Sequence, residues 1–467
     1  MSKQRIEHDL LGDEILEDVY YGIHTLRAKR NFNFDEKRVS LRLIYAIVQV
    51  KQAAAMAHKK LHDYSPEVAD AIISACDRIL SGEFDGSFVT HPLQGGAGTS
   101  THMNVNEVIA NVALESLGHP KGNYSIIDPL RDVNLSQSTN DVYPTAMRIA
   151  SIVALRGLAD EYVRLQAAFI QKEQAFEDIL RLGRTQYMDA LPITMGQTFS
   201  AYASVVNRDR WRLYKSEERL RTINLGGTAI GTGMNAESKY IFLVTDLIQD
   251  ITGLGLARSD NLIDATQNLD GFTEVSSLVK TAAVSLMKIA NDFRLLASGP
   301  HGGLGELILP AHQAGSSIMP GKVNPVMLES IVQICLKVQA NDTMISQAIS
   351  LGVLELNAFG PLIIDALLES IELLSKAAEK FRTHVLDGLL VDEQRCLELL
   401  NSSNALITAL LPILGYDESS RIVRLAQTQH RTIQELLLEE GLFTQAELDR
   451  YLNPRALVSP GITKRQP

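Results

Sequence analysis

Apolar residues recur at three- and four-residue steps through much of this chain. Val275, Leu278, Ala282, Leu286, Ile289, Phe293 and Leu296 keep that spacing over successive turns, as expected of a helix with one packed face. A second stripe runs through Leu356, Phe359, Ile363, Leu367, Ile371 and Leu374, and a third through Val326, Ile331, Ile334 and Val338. Proline is missing from 145–191, 193–299 and 362–411; because it breaks helix interiors, its absence predicts three long helical segments. Long antiparallel helices with several apolar faces predict a bundle, and an oligomer that buries the surplus faces. The predicted fold is mainly α, with few and short strands.

Both ends depart from this pattern. Residues 1–138 read as a smaller, mostly helical domain: Ser65-Pro66-Glu67 offers a cap and a first-turn proline, and Gly, Asp and Phe punctuate 82–98. Beyond Asp392 the helices shorten, and Thr444-x-x-Glu447 reads as a capping box for a terminal helix. The expected division is 1–138, a central long-helix domain over 139–392, and a small helical domain over 393–467.

Composition narrows the functions available. With 44 Lys plus Arg against 55 Asp plus Glu, the formal charge of −11 has the wrong sign for a nucleic-acid partner or an anionic membrane surface. A small anionic substrate must therefore be held by local donors. The opening residues lack the apolar core of a signal peptide, and no run approaches a membrane span, so a cytoplasmic protein is expected. Cys76, Cys335 and Cys396 lie far apart among apolar neighbours, the pattern of buried small residues rather than of a disulfide framework or zinc site. The 11 histidines are equally scattered, so no protein-ligated metal is expected.

One segment carries most of the chemistry: Gly315-Ser-Ser-Ile-Met-Pro-Gly-Lys-Val-Asn-Pro325. Two hydroxyls, a lysine and an asparagine fenced by glycine and proline suit a loop that closes over an anion. Lys322 offers charge and Asn324 a neutral donor, while Ser316 or Ser317 could act on a proton. A phosphate loop is excluded, because that motif needs four residues between its glycines and Ser or Thr after Lys, whereas five intervene here and Val323 follows.

Three further loops add polar groups. Gln94-Gly-Gly-Ala-Gly-Thr-Ser100 could bring backbone N–H groups and the Thr99 hydroxyl against an anion, or be a plain tight turn. Ser138, Thr139 and Asn140 stand just ahead of a long helix, where they could bind carboxylate oxygens with help from the helix dipole, or simply cap that helix together with Asp141. Thr185 and Gln186 sit in what reads as another break between helices. The run Asn224-Leu-Gly-Gly-Thr-Ala-Ile-Gly-Thr-Gly233 suits close helix packing near a site and is given no chemical role.

The 315–325 segment matches the signature of the fumarase and aspartase superfamily, lyases that eliminate a group beta to a carboxylate and release fumarate. Tyr21-Gly-Ile-His-Thr-Leu-Arg-Ala28, Gly95-Gly-Ala-Gly-Thr99, Gln137-Ser-Thr-Asn-Asp141 and the 224–233 run make the chain resemble the aspartase branch from Arg5 to about Ile462. The resemblance implies a three-domain fold with a long central bundle and a homotetramer with active sites shared by three subunits. It implies no required cofactor, leaves an activating divalent cation open, and points to L-aspartate as substrate, with malate or another amino acid as the alternative. It also implies roles: Ser316 as base, Lys322, Asn324 and Thr185 on one carboxylate, Thr99, Ser138, Thr139 and Ser317 around the other, and Asn140 and Gln186 near the amino group. A serine base calls for an alkoxide stabilised by Lys322, by backbone N–H groups and by exclusion of water. The chain departs from the branch at His102, where asparagine is usual, at Gln186 for histidine, at Thr198 for glutamate, and at Val353 and Gly360 for Gln and Glu. These changes bear on substrate preference more than on the elimination chemistry.

Overall fold

The structure, a computed structural model, describes residues 4–453 and 457–458. It is mainly α. The chain separates into two compact units, one formed by 1–159, 211–281 and 337–374, the other by 160–210, 282–336 and 375–467.

The first unit opens with an antiparallel ribbon, β1 (Arg5–Asp9) and β2 (Gly12–Leu16), followed by α1 (Ile23–Asn31), α2 (Leu41–Leu61), α3 (Pro66–Leu80) and α4 (Thr99–Ser116). Ser65 caps α3 by accepting from Val68 N, with Pro66 in the first turn as expected. α4 is buried along its whole middle, from Thr101 to Leu114, including Asn104, Asn106, Glu107 and Asn111. A helix enclosed on every side must find partners for most of its polar groups within the protein, and Glu107 shows how. Its carboxylate accepts from the N–H groups of Gly22 at 2.8 Å, His24 at 2.9 Å and Thr25 at 3.2 Å, capping α1. Burial nevertheless pushes its pKa up to about 7. The Tyr21–Ala28 motif is thus a helix start held by a buried carboxylate.

The first part of α5 (Thr139–Ala175) also belongs to this unit, and its later part belongs to the second. In the second unit, β3 (Leu180–Thr185) and β4 (Met188–Thr194) form a hairpin that leads into α6 (Met195–Ser216). The chain then returns to the first unit through a parallel pair, β5 (Thr222–Ile223) and β6 (Ala257–Arg258), with α7 (Ser238–Thr252) between them and α8 (Leu262–Gln267) after them.

α9 (Asp270–Leu296) carries the first apolar stripe, and all of it except half-buried Leu278 is buried. β7 (Leu307–Ile308) pairs with β8 (Leu390–Val391), and between them run α10 (Val326–Ser350) and α11 (Gly360–Phe381). In α11 the second stripe is buried at Ile363, Leu367, Ile371 and Leu374, whereas Phe359 precedes the helix and is 39% exposed. Phe169, Phe199, Phe293 and Phe381 lock α5, α6, α9 and α11 together in the second unit, with ring centroids 5.2–6.4 Å apart.

Short helices follow: α12 (Glu393–Asn401), α13 (Ala405–Leu414), α14 (Tyr416–Gln429), α15 (Ile433–Glu439) and α16 (Gln445–Tyr451). The capping box at Thr444 and Glu447 is present. All eight strands among the described residues are short, in agreement with the sequence pattern.

The proline-free stretch 193–299 is not one helix. It breaks after Ser216, and the 224–233 run turns through positive φ at Gly226, Gly231 and Gly233. Absence of proline permits a helix, but glycine decides where the chain leaves it. Cys76, Cys335 and Cys396 are buried and form no disulfide. Among the described residues no single helix is long and apolar enough to cross a membrane.

Candidate active site

The second unit holds Thr185, Gln186, Ser316, Ser317, Lys322 and Asn324. The 315–324 loop closes on itself: Gly315 N donates to Lys322 O at 2.9 Å, and Asn324 Nδ2 donates to Gly315 O at 2.6 Å. This closure needs glycine at 315, because a Cβ there would lie 2.6 Å from Asn324 N and 2.7 Å from Lys322 O. Within the loop, Ser316 Oγ accepts from Met319 N at 2.9 Å and Ile318 N at 3.2 Å. Two N–H donors on one hydroxyl oxygen stabilise negative charge on it, as a serine base requires. Ser317 and Lys322 are exposed, while Ser316 and Asn324 are half-buried.

Thr185 and Gln186 lie not in a helix break but at the tip of the β3–β4 hairpin. Thr185 pairs with Met188 across a two-residue turn whose central residues, Gln186 and Tyr187, have φ of 55° and 65°. Both positive angles belong to the turn type that matches strand twist, but glycine or asparagine usually fills it. Longer side chains at such angles store strain, which is a mark of functional sites.

Strand β3 is fixed at both ends by Glu306, fully buried, whose carboxylate accepts from Arg184 beside the tip at 2.9 and 3.0 Å and from Arg181 near the base at 3.3 Å. Thr198 accepts from Arg181 at 3.3 Å, so this departure from the aspartase pattern sits beside the paired guanidinium groups. A cleft of about 550 Å³ opens here, lined by Arg181, Arg184, Thr185, Gln197, Thr198 and Tyr202 among others. Sequence reasoning missed Glu306 and its arginines, since partners more than a hundred residues apart leave no local pattern.

The first unit holds Thr99, Ser138, Thr139 and Asn140. Thr99 begins α4, and its hydroxyl donates to Gly96 O at 2.6 Å. Gly98 before it has φ 97°, and a Cβ there would lie 2.4 Å from the Tyr143 ring. The other three residues start α5. Ser138 Oγ accepts from Asn140 N at 3.2 Å while Ser138 N donates to Asp141 Oδ1 at 2.9 Å, a reciprocal cap. Capping is therefore one of the duties of Ser138, and its own O–H can still donate outward.

Asp141 is fully buried, and its other oxygen accepts from Thr228 N at 3.0 Å and Gly226 N at 3.1 Å. Burial raises its pKa to about 6, against the opposing pull of these three N–H groups. Pro144 lacks the N–H that would bond the carbonyl of Asn140 four residues earlier. Asn224 Nδ2 supplies the missing donor at 2.9 Å, and Asn140 Nδ2 in turn donates to Ala229 O at 2.8 Å. The 224–233 run thus braces the start of α5, a role that its small residues suggested only as close packing.

Of the remaining departures, Val353 is 71% exposed, whereas Gly360 packs so that a Cβ would meet Met147 Sδ at 3.3 Å. Among the described residues no three His, Cys, Asp or Glu side chains form a metal-ligand group.

A mainly helical fold with one loop that carries a hydroxyl, an ammonium group and an amide along with an N–H-stabilised serine fits a lyase acting on carboxylates. The chain belongs to such a family: residues 14–340 match the family described as Lyase, and 406–459 match Fumarase C C-terminus. It is 44% identical over 463 residues to an aspartate ammonia-lyase of Bacillus subtilis (strain 168), covering 99% of this chain and 98% of that one. It is also similar to a solved fumarate lyase:delta crystallin from Brucella melitensis bound to cobalt, with TM-score 0.95 and 43% identity, covering 98% of this chain and all of that one. A class II fumarase from Schistosoma mansoni aligns with TM-score 0.91 and 32% identity over 97% of this chain and 98% of that one.

Proposed function

We propose that this chain is a carbon–nitrogen lyase that converts L-aspartate reversibly to fumarate and ammonia. The observation that carries the mechanism is the Ser316 oxygen held by the N–H groups of Ile318 and Met319 in a loop pinned at Gly315. Ser316, as alkoxide, takes the proton from the carbon beside one carboxylate. The bonding pair moves into that carboxylate as a doubly charged enediolate, then returns to form the carbon–carbon double bond as the amine leaves as ammonia. The proton stays on Ser316, and no redox equivalent enters the balance.

Lys322, Asn324 and Thr185 receive one carboxylate; Ser138, Thr139, Ser317 and Thr99, whose hydroxyl turns away from Gly96 O to do so, receive the other; Asn140 and Gln186 lie by the amino group. An enediolate is too unstable to form unless donors already point at it, and each donor lost costs ~3 kcal/mol, roughly a hundredfold in rate.

The working enzyme is a cytoplasmic homotetramer in which three subunits supply each site, and its chain is organised as 1–138, 139–392 and 393–467. Apolar residues left outward on long helices favour such an assembly: Val153, Val163, Val284 and Leu336 are 44–54% exposed.

Purified protein is followed by the ultraviolet absorbance of fumarate. Growth on aspartate with matching ammonia supports the reading, and growth on malate alone assigns a hydratase instead. Ser316→Ala keeps fold and assembly but abolishes turnover; near-normal turnover removes Ser316 as base.

A further inference from the structure

His102 lies in the second turn of α4, is 1% exposed, and points Nδ1 at Thr139 Oγ1, 2.8 Å away. Its Nε2 is buried without a partner, as is Oδ1 of Asn106 one turn further on. Near this pair Lys51, 1% exposed, donates Nζ to Asn134 Oδ1 at 2.9 Å. Burial first and the charge of Lys51 second hold the His102 pKa well below its ordinary value, so the ring is neutral.

A neutral imidazole has one N–H, and a threonine hydroxyl has one hydrogen. If the ring carries its hydrogen on Nε2, Thr139 must donate to Nδ1 and can turn only lone pairs toward a carboxylate. With the hydrogen on Nδ1, the ring donates and the threonine hydrogen is free to face outward. A negatively charged ligand selects the second arrangement.

We propose that His102 is a positioning residue for substrate binding: its Nδ1–H donates to Thr139 Oγ1 and thereby aims the threonine O–H at a substrate carboxylate. This rests on the reading of Thr139 as a carboxylate donor. Asparagine, which the aspartase pattern usually carries at this place, can put an amide N–H where imidazole has Nδ1. Glutamine places its amide where imidazole has Nε2.

The test uses binding of succinate, an unreactive four-carbon diacid, measured by calorimetry on wild type, His102→Asn, His102→Gln, Thr139→Val and the His102→Gln/Thr139→Val pair. His102→Gln and Thr139→Val each weaken binding about tenfold, the pair weakens it about tenfold rather than a hundredfold, and His102→Asn restores it. Independent losses that multiply in the pair, or equal binding by the Asn and Gln variants, overturn the proposal. Aspartate turnover by the wild type separately tests the function itself, so the two failures are distinguishable.

Discussion

Gly315→Ala isolates the geometry of the signature loop from its chemistry, because it removes no donor. The added Cβ would lie 2.6 Å from Asn324 N, 2.7 Å from Lys322 O and 3.0 Å from Val323 Cα. All three are backbone atoms, so no side chain can swing aside. Ordinary contact begins at 3.4 Å; the strands of the loop must therefore part by about 0.8 Å, the difference between 3.4 and 2.6. That stretches the 2.9 Å bond from Gly315 N to Lys322 O and moves Ser316, the next residue. A displacement near 1 Å at a reacting group costs about a hundredfold in rate, or ~2.7 kcal/mol of barrier. The loop is exposed or half-buried, so stability should hardly change. The assay is the rate of fumarate formation at saturating aspartate, beside a melting curve and a Gly302→Ala control, where nothing lies within 4 Å of the new Cβ. A rate within threefold of wild type, with an unchanged melt, would refute the argument that loop closure at Gly315 sets the position of Ser316.

Two other outcomes are expected. Gly98→Ala forces a Cβ to within 2.4 Å of the buried Tyr143 ring at φ 97°, so the urea midpoint should fall by the equivalent of about 2 kcal/mol; an unchanged midpoint contradicts it. Asp141 has a folded pKa of about 6, above its ordinary 3.8. Between those values the folded chain binds more protons than the unfolded one, so its contribution to stability falls as pH rises from about 4 to 6. Asp141→Asn should flatten that part of the stability profile relative to wild type, and an identical slope refutes the sign.

Much of the helical framework was legible because helical periodicity is a local property. Ser65-Pro66, Thr444-x-x-Glu447 and the stripe from Val275 to Leu296 each specify their structure within a few turns, and the folded chain carries all three. The signature loop was legible as chemistry for a similar reason, its hydroxyls, lysine and asparagine being neighbours in sequence. What the residues could not announce were partners brought together by folding. Gln186 and Tyr187 occupy a tight hairpin turn without glycine or asparagine, so no turn signal marked Thr185 as a strand end. Glu306 reaches its arginines across 122 and 125 residues, and Asn224 repairs the bond that Pro144 removes from Asn140 across 84. His102 against Thr139 is the same kind of contact. Short-range order follows from backbone preference and side-chain period, which are written residue by residue. The aim of each hydroxyl and the charge state of each buried carboxylate depend on which distant groups share its space, and only the folded chain settles that.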